Sequence, residues 1–541
     1  MKTKYVLFIL FLFLSSPIFA QDQVEQWGIY ELTLPGPSAG NPFVGVTLSA
    51  VFKQKDKTYS PEGFYDGNGI YKIRFMPDQP GSWTYETTSN RPELNGKKGS
   101  FTCIAPAPNN HGPVRVRDTY HFAYADGTPF YPFGTTIYEW AFQPEERRNQ
   151  TLQTLKKAPF NKARMLAVPP HSNRYLEGPA KLDVFPFEGT AKENFDFSRF
   201  NPVFFQRLEK SVAQLRDLNI QADLILFRPY DKGKWGFDMM DAETNDRFLR
   251  YMVARFGAYR NIWWSLANEN SFIKHLSDED WDHLFQVVQA KDPYQHLRSI
   301  HNADRMYDYR KPWVTHVSLQ YYNAVKTEGV SPLLREIYKK PIVHDEINYE
   351  GTSAKRWGQL TGEELTYRFW NAYIGGAYAT HGESTKTDWI GPGGELIGSS
   401  PARIAFLKQI VESGPKEGLR PLDQYYLTNV AGQYGKYYLI YFGKQPVKEW
   451  QFLLPDDELQ PGMRFKVDVI DTWNMKITPV AELIEIDKLN NYNFVAKNKS
   501  KGKIKLPNKP YMALRIQLAS QAEQELVQKK VKRNELTDEE H

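Results

Sequence analysis

Between residues 24 and 105, apolar and polar positions alternate in short runs: WGIYELTL, FVGVTLSAVF, IYKIRFMP, GSWTYETT and GSFTCIAP. A period of two buries one face of a strand and leaves the other to water, and the Pro-Gly, Asn-Gly and Asp-Gly pairs between the runs are turn signals. The pattern predicts an antiparallel β-sandwich over residues 22–105, closed by the Pro-rich connector APAPNNHGP at Ala105–Pro113. From about Val114 the period changes. Eight short apolar runs read as strands: Phe130–Thr136, Phe160–Val168, Ile220–Phe227, Asn261–Ala267, Leu297–Asn302, Trp313–Leu319, Lys340–Glu346 and Gly375–His381. Between them, stretches such as Phe204–Leu218, Asp246–Gly257 and Asp280–Lys291 repeat apolar residues every three or four positions, as helices covering a sheet do. The alternation predicts a central (β/α)8 barrel over residues 114–415. A doubly wound open sheet is the alternative, but no Gly-rich phosphate fingerprint follows the first strand. Alternating runs return in KYYLIYFG, RFKVDVID and YMALRIQLA, which predicts a second β-sandwich over residues 419–520. A charged tail follows at 521–541. The expected fold class is therefore multidomain, a (β/α)8 barrel flanked by two antiparallel β-sandwiches.

The first 20 residues interrupt this picture. Two lysines precede an apolar run from Tyr5 to Leu14, and Phe19-Ala20 closes the segment. This is the pattern of a secretory signal peptide over residues 1–20, because the run is shorter than the roughly 20 residues a membrane span needs. The expectation is a periplasmic or secreted protein without membrane insertion. Cys103 is the single cysteine of 541 residues, so no internal disulfide, lipidation site at the cleavage point or thiolate zinc site is expected. A net charge of +5 is too small a bias to predict a nucleic-acid partner. Aromatic residues make up 14% of the chain, and their flat rings suit sugar faces as well as cores.

In a (β/α)8 barrel, chemistry sits at the C-terminal ends of the strands. The predicted fourth strand ends in WWSLANENS and the seventh in IVHDEINYE, which places Glu269 and Glu346 on one rim. Opposed carboxylates flanking a cavity are what glycoside cleavage requires: one protonates the leaving oxygen and the other attacks or stabilises the anomeric carbon. Asp345 and Glu350 are rival acids, and strand alternation sends Asp345 and Glu346 to opposite faces, so one of the two is expected to face the axis. Candidate substrate-binding residues are Asn268, His301, Tyr321, Trp389, Arg164, Trp140 and His381, with Asn268 placed to hold a sugar 2-hydroxyl and Trp389 to floor a subsite. Weaker rim candidates are Tyr138, Glu139, His171, Arg228, Tyr230, Gln320 and Glu383. His301, His316, His344 and His381 lie on separate strands without HxxxH or HExxH spacing, so no metal and no cofactor are expected. No GxSxG elbow, Walker loop or dinucleotide fingerprint is present.

These motifs resemble a known group. Asn268-Glu269 after strand four and Glu346 after strand seven are similar to the retaining glycoside hydrolases of the large (β/α)8 clan. The segments FYPFGTTIYEW, FNKARMLAV, NIWWSLANEN, DPYQHLRSIHN and PIVHDEINYEG resemble the apiosidase-like group within it, which carries a sandwich before its barrel. The resemblance implies that Glu269 is the general acid/base and Glu346 the nucleophile of a double displacement on an oligo- or polysaccharide. The competing expectation is a carbohydrate-binding barrel without activity.

Overall fold

The structure is a computed structural model that describes residues 23–169, 184–190, 194–231, 233–386, 388–422, 429–455, 458–491 and 493–523. The leader at 1–20 and the tail beyond residue 523 lie outside the described residues.

The centre is an eight-stranded parallel sheet. Its strands are β1 (Phe133–Thr136), β2 (Lys162–Leu166), β3 (Gln221–Phe227), β4 (Ile262–Ala267), β5 (Arg298–Ser299), β6 (Val317–Leu319), β7 (Ile342–His344) and β8 (Tyr378–His381). They pair in the order 5-4-3-2-1-8-7-6. A single parallel bridge between His301 and Ser318 joins the two ends, so the sheet forms a nearly closed barrel. All seven residues of β3 are buried, as expected where helices cover one face and the barrel interior the other.

Among the described residues seven helices follow the strands: α1 (Glu145–Leu155), α2 (Pro202–Asp217), α3 (Ala242–Phe256), α4 (Asp278–Lys291), α5 (Val330–Tyr338), α6 (Gly362–Ile374) and α7 (Ser400–Glu412). Local chemistry sets their starts. Asn201 caps α2 ahead of Pro202, Asp241 caps α3, and Ser277 with Asp280 forms a capping box on α4. Between β5 and β6 no helix is present, which departs from strict strand–helix alternation. There the buried Tyr309 spans the gap, donating to the carbonyls of Ile300 at 3.1 Å and Ser318 at 2.7 Å.

The run Phe130–Thr136, predicted as one strand, is split. Pro129–Phe130 joins a small sheet with Val114–Arg117 and His121–Tyr124, and only Phe133–Thr136 enters the barrel. Pro132 lies at the break, where it has no N–H to give to a ladder. The small sheet plugs the barrel floor: Phe122 packs against Trp263 and Tyr378 with ring centroids 5.1 and 5.5 Å apart.

Two sheets precede the barrel and pack around Phe52, Phe75, Trp83 and Phe101. They are not wholly antiparallel, because Gln23–Glu25 pairs parallel to Thr102–Ile104. Most of this unit separates those strands in sequence, so no hairpin imposes an antiparallel direction. A buried ionic cluster fastens the unit to the barrel. Arg74 donates to Glu209 at 2.6 Å, Arg255 donates to the same carboxylate at 2.7 Å, and Arg255 pairs with Asp66 at 2.8 Å. After α7 a larger, mainly antiparallel sheet buries Phe465, Val467, Leu514 and Ile516, and Tyr441 stacks on Trp370 of α6 at 5.0 Å.

Candidate active site

β4 ends at Ala267 and carries Asn268 and Glu269 onto the rim. Glu269 adopts φ 49° and ψ 48°, a left-handed conformation that costs a non-glycine residue roughly 1–2 kcal/mol. That twist turns the chain into the single 3-10 turn Asn270–Phe272. The Glu269 carboxylate accepts the Tyr230 hydroxyl at 2.7 Å on Oε2 and Gln320 Nε2 at 3.2 Å on Oε1. Tyr230 in turn accepts from Asn268 Nδ2, and Asn268 Oδ1 accepts from Arg164 Nη2 at 2.8 Å. Arg164 completes the path, its Nη1 lying 3.6 Å from Glu346 Oε1. Hydrogen bonds and one ion pair therefore run continuously between the two glutamates.

β7 ends at His344, and the next two backbone N–H groups, of Asp345 and Glu346, both donate to the Leu319 carbonyl, at 3.0 and 3.2 Å. The ladder ends at His344, so these two residues lie past the strand and strict alternation of side chains no longer governs them. The expectation that only one of these acids faces the axis is overturned for that reason. Asp345 points into the barrel interior, accepting from Lys162 at 2.7 Å, Ser318 at 2.6 Å and Thr380 at 2.7 Å. Glu346 sits above it, accepting the Tyr138 hydroxyl beside Arg164. Lys162 also pairs with Asp223 at 2.6 Å, which makes a buried polar floor.

The two acids behave oppositely. Burial alone would raise the Asp345 pKa, but Lys162 and Arg164 overcome it and hold this carboxyl well below the usual range. Glu346 is pushed up to about 7, first by burial and then by the charge of Glu269, against the opposing pull of Arg164, Tyr138 and Tyr349. Glu139, which follows Tyr138, is pushed up to about 8 by burial, opposed by Arg228.

The remaining candidates separate into groups. Asn268 and Arg164 lie between the glutamates, and Tyr321 is exposed beside Gln320. His301 is enclosed, and burial first, then the charges of Arg164 and Lys162, hold its ring neutral against the opposing pull of Asp345; among the described residues neither ring nitrogen has a hydrogen-bond partner. Trp389 and His381 are buried behind the sheet, where both bond to Thr135, at 2.8 and 3.1 Å, and offer no surface to a sugar. Trp140 is buried in the core and donates to the Arg148 carbonyl. Glu350 is no rival: it accepts from the backbone of Ser399 and Ser400 at the start of α7. The four histidines do not converge, since His344 contacts Ser331 of α5 and His316 packs on Trp263. Among the described residues no cluster of metal-ligating side chains occurs. His171 lies outside the described residues. Sequence pattern alone misses Lys162, Asp223 and Tyr349, although Lys162 and Asp223 signal themselves as charges inside the apolar runs FNKARMLAV and IQADLILF. A groove of about 510 Å³ lies away from the rim, between the N-terminal sheets and α3, where Glu62 and Arg250 already pair.

Family and structural comparisons place this nearly closed parallel barrel among glycoside-hydrolase-like proteins. The apiosidase-like catalytic domain matches residues 117–400, and the chain belongs to the apiosidase-like family. Two domains of unknown function, DUF5060 and DUF5605, match residues 23–90 and 426–517. The crystal structure of a provisionally assigned glycoside hydrolase from Bacteroides vulgatus is 40% identical, with a TM-score of 0.88 over 92% of this chain and 100% of that one. A glycoside hydrolase family 5 structure from the same species is 13% identical, with a TM-score of 0.54 over 76% of this chain and 94% of that one, a likeness of fold alone. Comparison with curated proteins finds no match. No helix of the described residues is long and apolar enough to cross a membrane.

Proposed function

We propose that this chain is an exported glycosidase that cleaves O-glycosidic bonds of oligo- or polysaccharides with retention, on an eight-fold β/α barrel flanked by sandwich domains. The observation that carries the reading is the path Glu269–Tyr230–Asn268–Arg164–Glu346, which holds two carboxyl groups over one barrel mouth. In the first step Glu269 protonates the leaving oxygen while a Glu346 oxygen attacks the anomeric carbon, so the glycosidic C–O bond breaks as a glycosyl ester forms. In the second, Glu269 takes a proton from water, whose oxygen attacks the same carbon and releases Glu346. Arg164 and Tyr138 stabilise Glu346 as the anion that must attack, and Tyr230 and Gln320 orient Glu269. Export rests on the leader pattern of residues 1–20.

The test is turnover of a panel of plant and algal oligosaccharides by wild type, Glu269→Ala and Glu346→Gln, with product stereochemistry followed by NMR. Loss of at least 10³-fold in both variants, and retention in the wild-type product, is the expected result. Binding without turnover in wild type makes the protein a carbohydrate-binding barrel, and equal activity in all three proteins removes both glutamates from the mechanism.

A further inference from the structure

The chain is rich in aromatic residues, and the two most exposed rings among the described residues are Phe272, 46% exposed, and Tyr321, 39% exposed. Both lie on the barrel rim, and both are neighbours of Glu269. The Phe272 N–H donates to the Glu269 carbonyl at 2.9 Å, and Tyr321 directly follows Gln320, whose amide donates to the Glu269 carboxylate. The loops that carry the rings are tied together. Asn270 N–H donates to the His301 carbonyl at 2.9 Å, Ser271 donates to Asp304 at 2.6 Å, and Gln320 N–H donates to Asn302 at 2.9 Å. The side of Glu346 is the opposite in character: its carboxyl is 14% exposed, among Tyr138, Tyr349 and Arg164. The mouth therefore has an enclosed polar wall around Glu346 and an open aromatic one around Glu269.

A glycosidase needs the first wall for the sugar that becomes covalently held and the second for the group that departs. Large apolar rings are normally withdrawn from water, and two left partly open on the tied loops around Glu269 suit an occupant with a flat apolar face. The C–H face of a pyranose has that shape, and a small alcohol does not. Among the described residues Lys274 is the cation over Phe272, its Nζ 5.7 Å from the centroid, a loose contact that a stacked sugar would displace. We propose that Phe272 and Tyr321 form the leaving-group platform of this site, so that the departing portion of the substrate is itself a sugar ring stacked on Glu269's side of the mouth. The proposal rests on reading Glu269 as the acid/base.

The experiment compares wild type, Phe272→Ala, Tyr321→Ala and Tyr321→Phe on an oligosaccharide that wild type cleaves and on the methyl glycoside of the same glycone. Leu489→Ala, at an exposed position of the C-terminal sheet, is the control. The expected result is that each alanine variant lowers kcat/KM on the oligosaccharide about 10-fold more than on the methyl glycoside, mainly through KM, while Tyr321→Phe restores it. Equal losses on both substrates, or no loss on either, overturn the platform and leave the glycosidase reading intact. A wild-type protein that neither binds nor cleaves any oligosaccharide removes the glycosidase reading and the platform with it.

Discussion

Asp345 and Glu346 hang their backbone N–H groups on one acceptor, the Leu319 carbonyl, and so turn two consecutive carboxyl groups toward the same barrel interior. Their chemistry then diverges with depth. Asp345 reaches Lys162 and is held ionised, whereas Glu346 stops at the rim, where burial and the charge of Glu269 favour its protonated form.

That difference sets a pH dependence. A nucleophile must be ionised, so kcat/KM is expected to fall as pH drops through about 7, the value to which Glu346 is pushed. Removing the neighbouring charge in Glu269→Gln lowers the Glu346 pKa, and the acidic limb of the residual activity should move to lower pH. The check is a pH–rate profile of both proteins, and a limb that stays in place contradicts the coupling.

The same shift has a stability consequence. The native state holds the Glu346 proton up to about pH 7, whereas an unfolded Glu releases it near its usual value, so stability contributed by this group is lost as pH rises between the two. Glu346→Gln should therefore be more stable than wild type at pH 8, on the order of 2 kcal/mol, and differ little at pH 4. Urea unfolding at the two pH values measures this.

Tyr138→Phe removes the hydroxyl that donates to Glu346. A hydrogen bond to a charged group contributes about 1.5–3 kcal/mol, so kcat/KM should fall roughly 10- to 150-fold. Because that bond lowers the Glu346 pKa, the acidic limb should also shift upward in pH.

Asp345→Asn leaves Lys162 with one carboxylate partner in a fully buried floor. The expected loss is about 3–5 kcal/mol at pH 7 by urea denaturation. Asp345 is depressed in the folded state, so its contribution is present at neutral pH and the difference should shrink below about pH 4.

Gly398→Ala tests the support behind the rim. A Cβ there would stand 2.6 Å from both Glu350 Oε2 and Glu383 Oε1, the carboxylates that bind the backbone leading into α7. Overpacking of this kind costs about 1–3 kcal/mol, and the thermal midpoint should drop accordingly.

Periodicity in the sequence places three of the barrel helices, because an amphipathic stripe depends on local spacing: Phe204–Leu218, for example, is expected where Pro202–Asp217 forms. It also marked Asn268, Glu269 and Glu346 as rim residues, since strand ends are visible where apolar runs stop. It could not show that Trp389 and His381 turn behind the sheet to Thr135, because short buried strands carry apolar residues on both faces and do not announce which one is inward. Nor could it show the turn past the end of β7 that brings Asp345 and Glu346 to one side, or the missing helix between β5 and β6. Those were settled by pairing between segments distant in the chain: Leu319 offers two donors one carbonyl, and Lys162 draws Asp345 inward from 183 residues away. Local patterning thus determined most of the barrel strands and roughly where they end, while the direction of the buried charges Lys162, Arg164 and Asp345 was decided only by the partners that tertiary packing brought to them.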